Sequence, residues 1–249
     1  MGVRPAIVLG LLLLALGIPA PAGAVVVYRD DFSGPAGGYP NAAVWRALPC
    51  QYLVRGSDCT ASRARLDGAG ALELIVTPSR GAFIGTFDYG TGWPPTGVRA
   101  SWAPPFTITA RLKMPTTPGI WTVVYAMNTD RTRSRGIWEL DIAEPRSSLP
   151  NTGAAYHHWW GTTHTTGGAS AWIGGPGQWH TYRLIARQDK TIYTVDGKTL
   201  LTREPLAGRF GLLIHSLAGL PNTWHTNYGP TMASGTTVRS KIDYVEVSR

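Results

Sequence analysis

The sequence is poor in several things at once. After the first twenty residues it has no long apolar run, so nothing later in the chain reads as a membrane-spanning helix. It has two cysteines, and the spacing of His157, His158 and His164, with no cysteine close by, matches no common zinc site. Only 15% of its residues are charged, which disfavours exposed helices, since these draw on Glu and Lys. No linker, charge block or internal repeat divides it. The basic residues are scattered, without the aromatic-and-basic stripe of a nucleic-acid binder.

What is present points to strands. Gly, Pro, Thr and Trp are plentiful, with 30 Gly, 19 Pro and 10 Trp. Segments of β type recur between turn signals: ALELIVTP, FTITARLKM, IWTVVYAMN, IWELDIAE, AAYHHWW, HTYRLIAR, TIYTVDG, RFGLLIHSL and SKIDYVEVS. In the second, Phe106, Ile108, Ala110 and Leu112 alternate with polar residues, the pattern of a half-buried strand. TIYTVDGKTLLT reads as a hairpin turning at Asp196-Gly197. Many strands and no helical periodicity imply an all-β sandwich of two sheets.

The chain opens MGVRP, continues AIVLGLLLLALGIPA and then PAGA, a basic start, an apolar centre and a small-residue end. Residues 1–24 are therefore expected to be a secretory signal peptide, and 25–249 a single exported domain; an uncleaved anchor is the alternative. In an oxidising compartment Cys50 and Cys59 are expected to form a short-range disulfide. The net charge is +8, or +7 without Arg4. Its one dense cluster, Arg131 to Arg135, reads as a solvated hairpin tip or as a surface facing an anionic substrate.

The segment GIWELDIAEPR, residues 136–146, carries Glu139, Asp141 and Glu144 within an otherwise apolar strand. Buried carboxylates are costly, so three in six residues call for a reason. Side chains at i and i+2 share a strand face, which aligns Glu139 with Asp141. Glu144 falls on the opposite face unless a β-bulge between Asp141 and Glu144 adds one residue. Three readings stay open on chemistry alone: a nucleophile and acid/base pair, a calcium site, and a solvated edge.

The order Glu-Leu-Asp-Ile-Ala-Glu resembles the active-site signature of glycoside hydrolase family 16, in the bulged form typical of laminarinase-like members. DDFSG with Trp45 resembles the family's opening and ARLKMPTTPGIW the strand entering its cleft. WHTYRLIARQDKTIYTVDGK is similar to its late hairpin, and KIDYVEVS to its closing strand. The resemblance implies a concanavalin-like β-jelly roll of two antiparallel sheets with a concave groove for a polysaccharide. It also implies Glu139 as nucleophile, Asp141 as its electrostatic helper and Glu144 as acid/base.

Trp138 stands where family members commonly have Gly, and parity turns it away from Glu139. Trp121 is expected in the cleft or in the core. His158 and Trp160 are expected on the groove face, with His158 near Glu144, and Trp224 as a cap on a subsite. His215 lies where many relatives carry Asn. Asp243, with Asp30 or Asp31, resembles a structural calcium position; no catalytic cofactor is implied. The expected partner is a polysaccharide, β-1,3-glucan by default, with a galactan or an anionic polymer as alternative, handled by a monomer. A transglycosylase of the same fold is a further alternative, and a non-cleaving lectin of that fold is the competing reading.

Overall fold

The structure is a computed structural model, and it describes residues 24–50, 53, 58–90, 92–132, 135–145, 152–174, 177–218 and 232–249. The expected signal peptide (save Ala24), Trp224, and Arg133 and Ser134 of the basic cluster lie outside the described residues.

In chain order the strands are β1 (Val26–Asp30), β2 (Arg46–Ala47), β3 (Asp58–Cys59), β4 (Ala64–Leu66), β5 (Leu72–Val76), β6 (Arg80–Gly85), β7 (Phe106–Lys113) and β8 (Ile120–Asn128). They continue as β9 (Ile137–Ala143), β10 (Thr152–Trp160), β11 (His164–Trp172), β12 (Trp179–Ala186), β13 (Thr191–Val195), β14 (Lys198–Arg203), β15 (Phe210–Ala218) and β16 (Val238–Ser248). Among the described residues a single 3-10 turn, Ala61–Arg63, interrupts them.

The strands form two eight-stranded sheets. The first runs β14-β13-β12-β7-β16-β5-β4, with β1 added on β16; the second runs β11-β10-β9-β8-β15-β6-β2, with β3 beside β6. Pairing is antiparallel except for the two-residue β3. The hairpin read at Asp196-Gly197 joins β13 to β14, and both residues take positive φ, 47° and 80°. Those angles match the right-handed twist of the flanking strands.

Alternation along the strands sorts most buried apolar side chains into two large clusters, beside a small third one of Val76, Ile120, Ala218, Met232 and Val238. Leu112, Ala110, Ile108, Leu140, Ile142, Leu184, Tyr182, Leu212 and Ile214 meet between the sheets as the main core. Trp121, Val123, Tyr125 and Met127 point the other way from β8 and pack with Phe83, Leu213, Leu48 and Cys50 on the outer face of the second sheet. A disulfide joins Cys50 to Cys59, and Leu53 between them packs against this second cluster. The acidic strand β9 runs beside this cluster and adds Ile137 to it.

Candidate active site

β8 and β9 carry the geometry that aligns the acids. Tyr125 pairs with Asp141 and Val124 with Ala143, so Ile142 is an extra residue on β9 and forms the bulge. Leu140 and Ile142 enter the main core, and Glu139 and Asp141 face outward. The added residue restores Glu144 to that outward face. Its carboxylate accepts a 2.8 Å bond from Trp121 Nε1, and Asp141 is hydrogen-bonded to it.

All three acids bear on one group. Tyr125 is fully buried, and the negative charges of Glu139, Asp141 and Glu144 add to burial in raising its hydroxyl well above the usual range. Asp141 and Glu144 are themselves buried, at 4% and 6% exposure, whereas Glu139 is only partly covered and meets water from the open side. Burial first, then the neighbouring Asp141, pushes Glu139 up to about 8. Burial, followed by the charge of Glu144, raises Asp141 well above an ordinary carboxyl. Packed this closely, the acids exchange protons as a set rather than singly.

β10 supplies the groups that hold them. Its register sets Tyr156 opposite Asp141 and His158 opposite Glu139. Tyr156, His158 and Trp160 therefore share the acidic face, as expected for the last two. Trp160 Nε1 donates to Glu139 Oε2 at 2.6 Å. His158 Nε2 lies 3.0 Å from Asp141 Oδ2, so this imidazole meets Asp141 rather than Glu144. Pairing dictates the difference, because the bulge lies beyond Asp141 and carries Glu144 farther along the groove.

On the opposite face, Trp138 stacks against His157 and Trp159 with ring centroids 4.6 and 4.4 Å away, turned from the acids as parity requires. His157 bonds Tyr193 of the first sheet at 2.8 Å, and burial lowers its pKa to about 4.

Trp121 is buried, and its Nε1 donates to Glu144. His215 is buried on β15 with its ring 4.2 Å from Trp121 and 5.5 Å from Tyr125, so it backs the site and does not line an open surface.

Three residues of the site, Tyr125, Tyr156 and His164, escaped the sequence reading. Tyr125 shares a face with Trp121 four residues earlier, but in a strand buried throughout, a tyrosine carries no signal of its own. His164 lies flat on Trp160 at 3.6 Å and bonds His158 at 3.1 Å. It sits on β11, which has no apolar alternation to announce it.

Asp243 is engaged by the guanidinium of Arg111. Asp30 accepts from Trp45 Nε1 and from the backbone of Phe32, and Asp31 from Ser33. Among the described residues no group of three or more His, Cys, Asp or Glu side chains is placed to hold a metal ion.

The sequence model of Glycosyl hydrolases family 16 matches residues 106–208, the stretch from β7 to the end of the late hairpin. The fold is similar to SCLam, a non-specific endo-β-1,3(4)-glucanase from that family, with TM-score 0.73 and 21% identity over 94% of each chain. It is similar to an endo-1,3-β-glucanase from Streptomyces sioyaensis, with TM-score 0.69 and 23% identity over 92% of this chain and 98% of the other. LamA of Zobellia galactanivorans in complex with laminaritriose and laminaritetraose superposes with TM-score 0.71 and 15% identity, over 90% of this chain and 98% of its own. Comparison with curated protein sequences gave no match. Residues 106–208, acidic strand included, match the model of glycoside hydrolase family 16, and the chain as a whole is similar in fold to solved jelly-roll structures of that family.

Proposed function

We propose that the protein is a secreted, retaining endo-glycoside hydrolase that cleaves a β-linked polysaccharide, with β-1,3-glucan as its substrate. The observation that carries the reading is the bulge at Ile142, which brings a third carboxylate onto the face already holding two. A retaining glycosidase needs two carboxyl groups close together, one to attack and one to protonate.

In this assignment Glu139 attacks the anomeric carbon while Glu144 protonates the departing glycosidic oxygen. A covalent glycosyl-enzyme forms, and Glu144 then takes a proton from the water that releases the sugar. Asp141, bonded to Glu144 and held by His158, passes proton density between the two and keeps Glu144 oriented. The Trp160 N–H favours the ionised form of Glu139, the form that attacks. Trp160, 40% exposed and stacked on His164, offers a flat ring for a pyranose. The glucan preference is supported by two fold neighbours described as an endo-β-1,3(4)-glucanase and an endo-1,3-β-glucanase, and by LamA, which was solved with laminaritriose and laminaritetraose. Export is supported by the amino-terminal pattern of the sequence.

The test is reducing-end release on laminarin, mixed-linkage glucan, β-galactan, agarose and carrageenan, with Glu139→Gln in parallel. Release from laminarin that disappears in the variant supports the assignment. Retention on a polymer that is never cut would replace the hydrolase with a lectin.

A further inference from the structure

A cavity of about 740 Å³ opens on the other side of the molecule, on the outer face of the first sheet. Leu112 and Ala110 of β7 enter the core, so Arg111 and Lys113 between and beside them point away from it, toward this cavity. The acidic site lies on the outer face of the second sheet, with the whole sandwich between the two.

The register builds a row across four strands. Trp179 of β12 stands opposite Lys113, Lys113 opposite Lys241 of β16, and Lys241 opposite Glu73 of β5. Two ammonium groups directly opposite on one face of an antiparallel pair repel each other. Lys241 is neutralised by Asp67 at 2.9 Å and Glu73 at 3.2 Å. Arg239 also leans on Glu73, at 3.3 Å. Arg111 is paired with Asp243 and lies 5.1 Å from the Trp179 ring centre. Among the described residues no carboxylate comes within ion-pair distance of Lys113. One cation is thus left uncompensated beside another, next to a partly exposed indole, in a cavity sized for a short oligosaccharide.

We propose that this cavity is a second carbohydrate site that binds an anionic sugar chain, with Lys113 meeting a carboxylate or sulfate substituent and Trp179 packing against the pyranose. The local repulsion is relieved when the negative group arrives, which explains a like-charge pair that folding alone would disfavour. A nucleic acid fits less well, since it calls for many unpaired cations and here three of four are already engaged.

The experiment is retardation of the folded protein in native gels containing polygalacturonate, a sulfated galactan or laminarin, for wild type, Lys113→Gln and Trp179→Ala. Retardation by at least one polyanion is expected, weakened by salt. Its strength is expected to fall about two- to fivefold in Lys113→Gln, the worth of one partly exposed charge. Lys113→Gln is also expected to melt no lower than wild type, because it removes a repulsion; weaker binding then cannot be misfolding. Retardation by polygalacturonate alone identifies a carboxylate, and by the galactan alone a sulfate ester. No retardation by either, or equal retardation of Lys113→Gln and wild type, overturns the proposal. The readout is retention, so failure of the hydrolase assignment leaves this test intact.

Discussion

Holding Glu139 beside Asp141 costs folding free energy that depends on pH. With its carboxyl at about 8 in the fold against 4.5 outside it, the folded chain binds more protons than the unfolded one between those values. Stability contributed at low pH is therefore lost as pH rises through that window. Glu139→Gln removes the ionisable group and keeps an acceptor for Trp160. It is expected to melt higher than wild type at pH 7–8, to differ little at pH 4, and to lose at least about a thousandfold in activity. Melting curves at the two pH values check the first part, and a variant that melts lower at pH 8 would contradict it. Trp160→Phe tests the same carboxylate from the other side. Without the indole N–H the ionised form is less favoured, so the acid limb of kcat/KM is expected to move to higher pH; an unmoved limb would remove Trp160 from this role. At this scale the motif was legible in the sequence, because carboxylates in an apolar strand stand out. Tyr125 and His164 were not, since a tyrosine in a buried strand and a histidine in a polar one look ordinary until pairing brings them to the acids.

At the scale of the element, one residue of β9 decides whether three acids act together. Inserting one alanine after Ala143 adds a second shift and turns Glu144 toward the core. Activity is expected to vanish there. Deleting Ile142 instead leaves Glu139, Asp141 and Glu144 at strict alternation, so measurable activity is expected to survive, at a stability cost of about 2–5 kcal/mol for the lost core side chain. Circular dichroism and laminarin hydrolysis on both variants check this, and an active insertion variant would refute the bulge as the aligning device. Strands with an apolar face, such as β7 and β8, were readable from alternation. β11 was not: it is an edge strand of Thr, Gly, Ser and Ala with little to bury, and backbone pairing along all of β10 specifies it. Its small residues have a use that sequence conceals. A Cβ at Gly168 would fall 2.1 Å from the Tyr156 ring, so that ring beside the site rests on bare backbone.

At the scale of the whole molecule, two layers leave two outer faces, and each has been given its own chemistry. The second sheet's outer face is part acid cluster and part apolar wall, and the disulfide between Cys50 and Cys59 lies against that wall. A crosslink with sequence separation 9 restricts the unfolded chain by about 2–3 kcal/mol. Replacing both cysteines by serine is expected to lower Tm by roughly 5–10 °C. Activity per folded molecule is expected to fall less, because the three acids sit on strands. The layered fold was legible from strand count and turn spacing, but the division of labour between its faces was not, because it depends on which strands become neighbours. The most direct test of the central claim is the anomeric configuration of the first product released from laminarin, followed by proton NMR before mutarotation. The β-anomer appearing first, and no product from Glu139→Gln, is the expected result. The α-anomer appearing first, or an active Glu139→Gln, would contradict a covalent intermediate on Glu139.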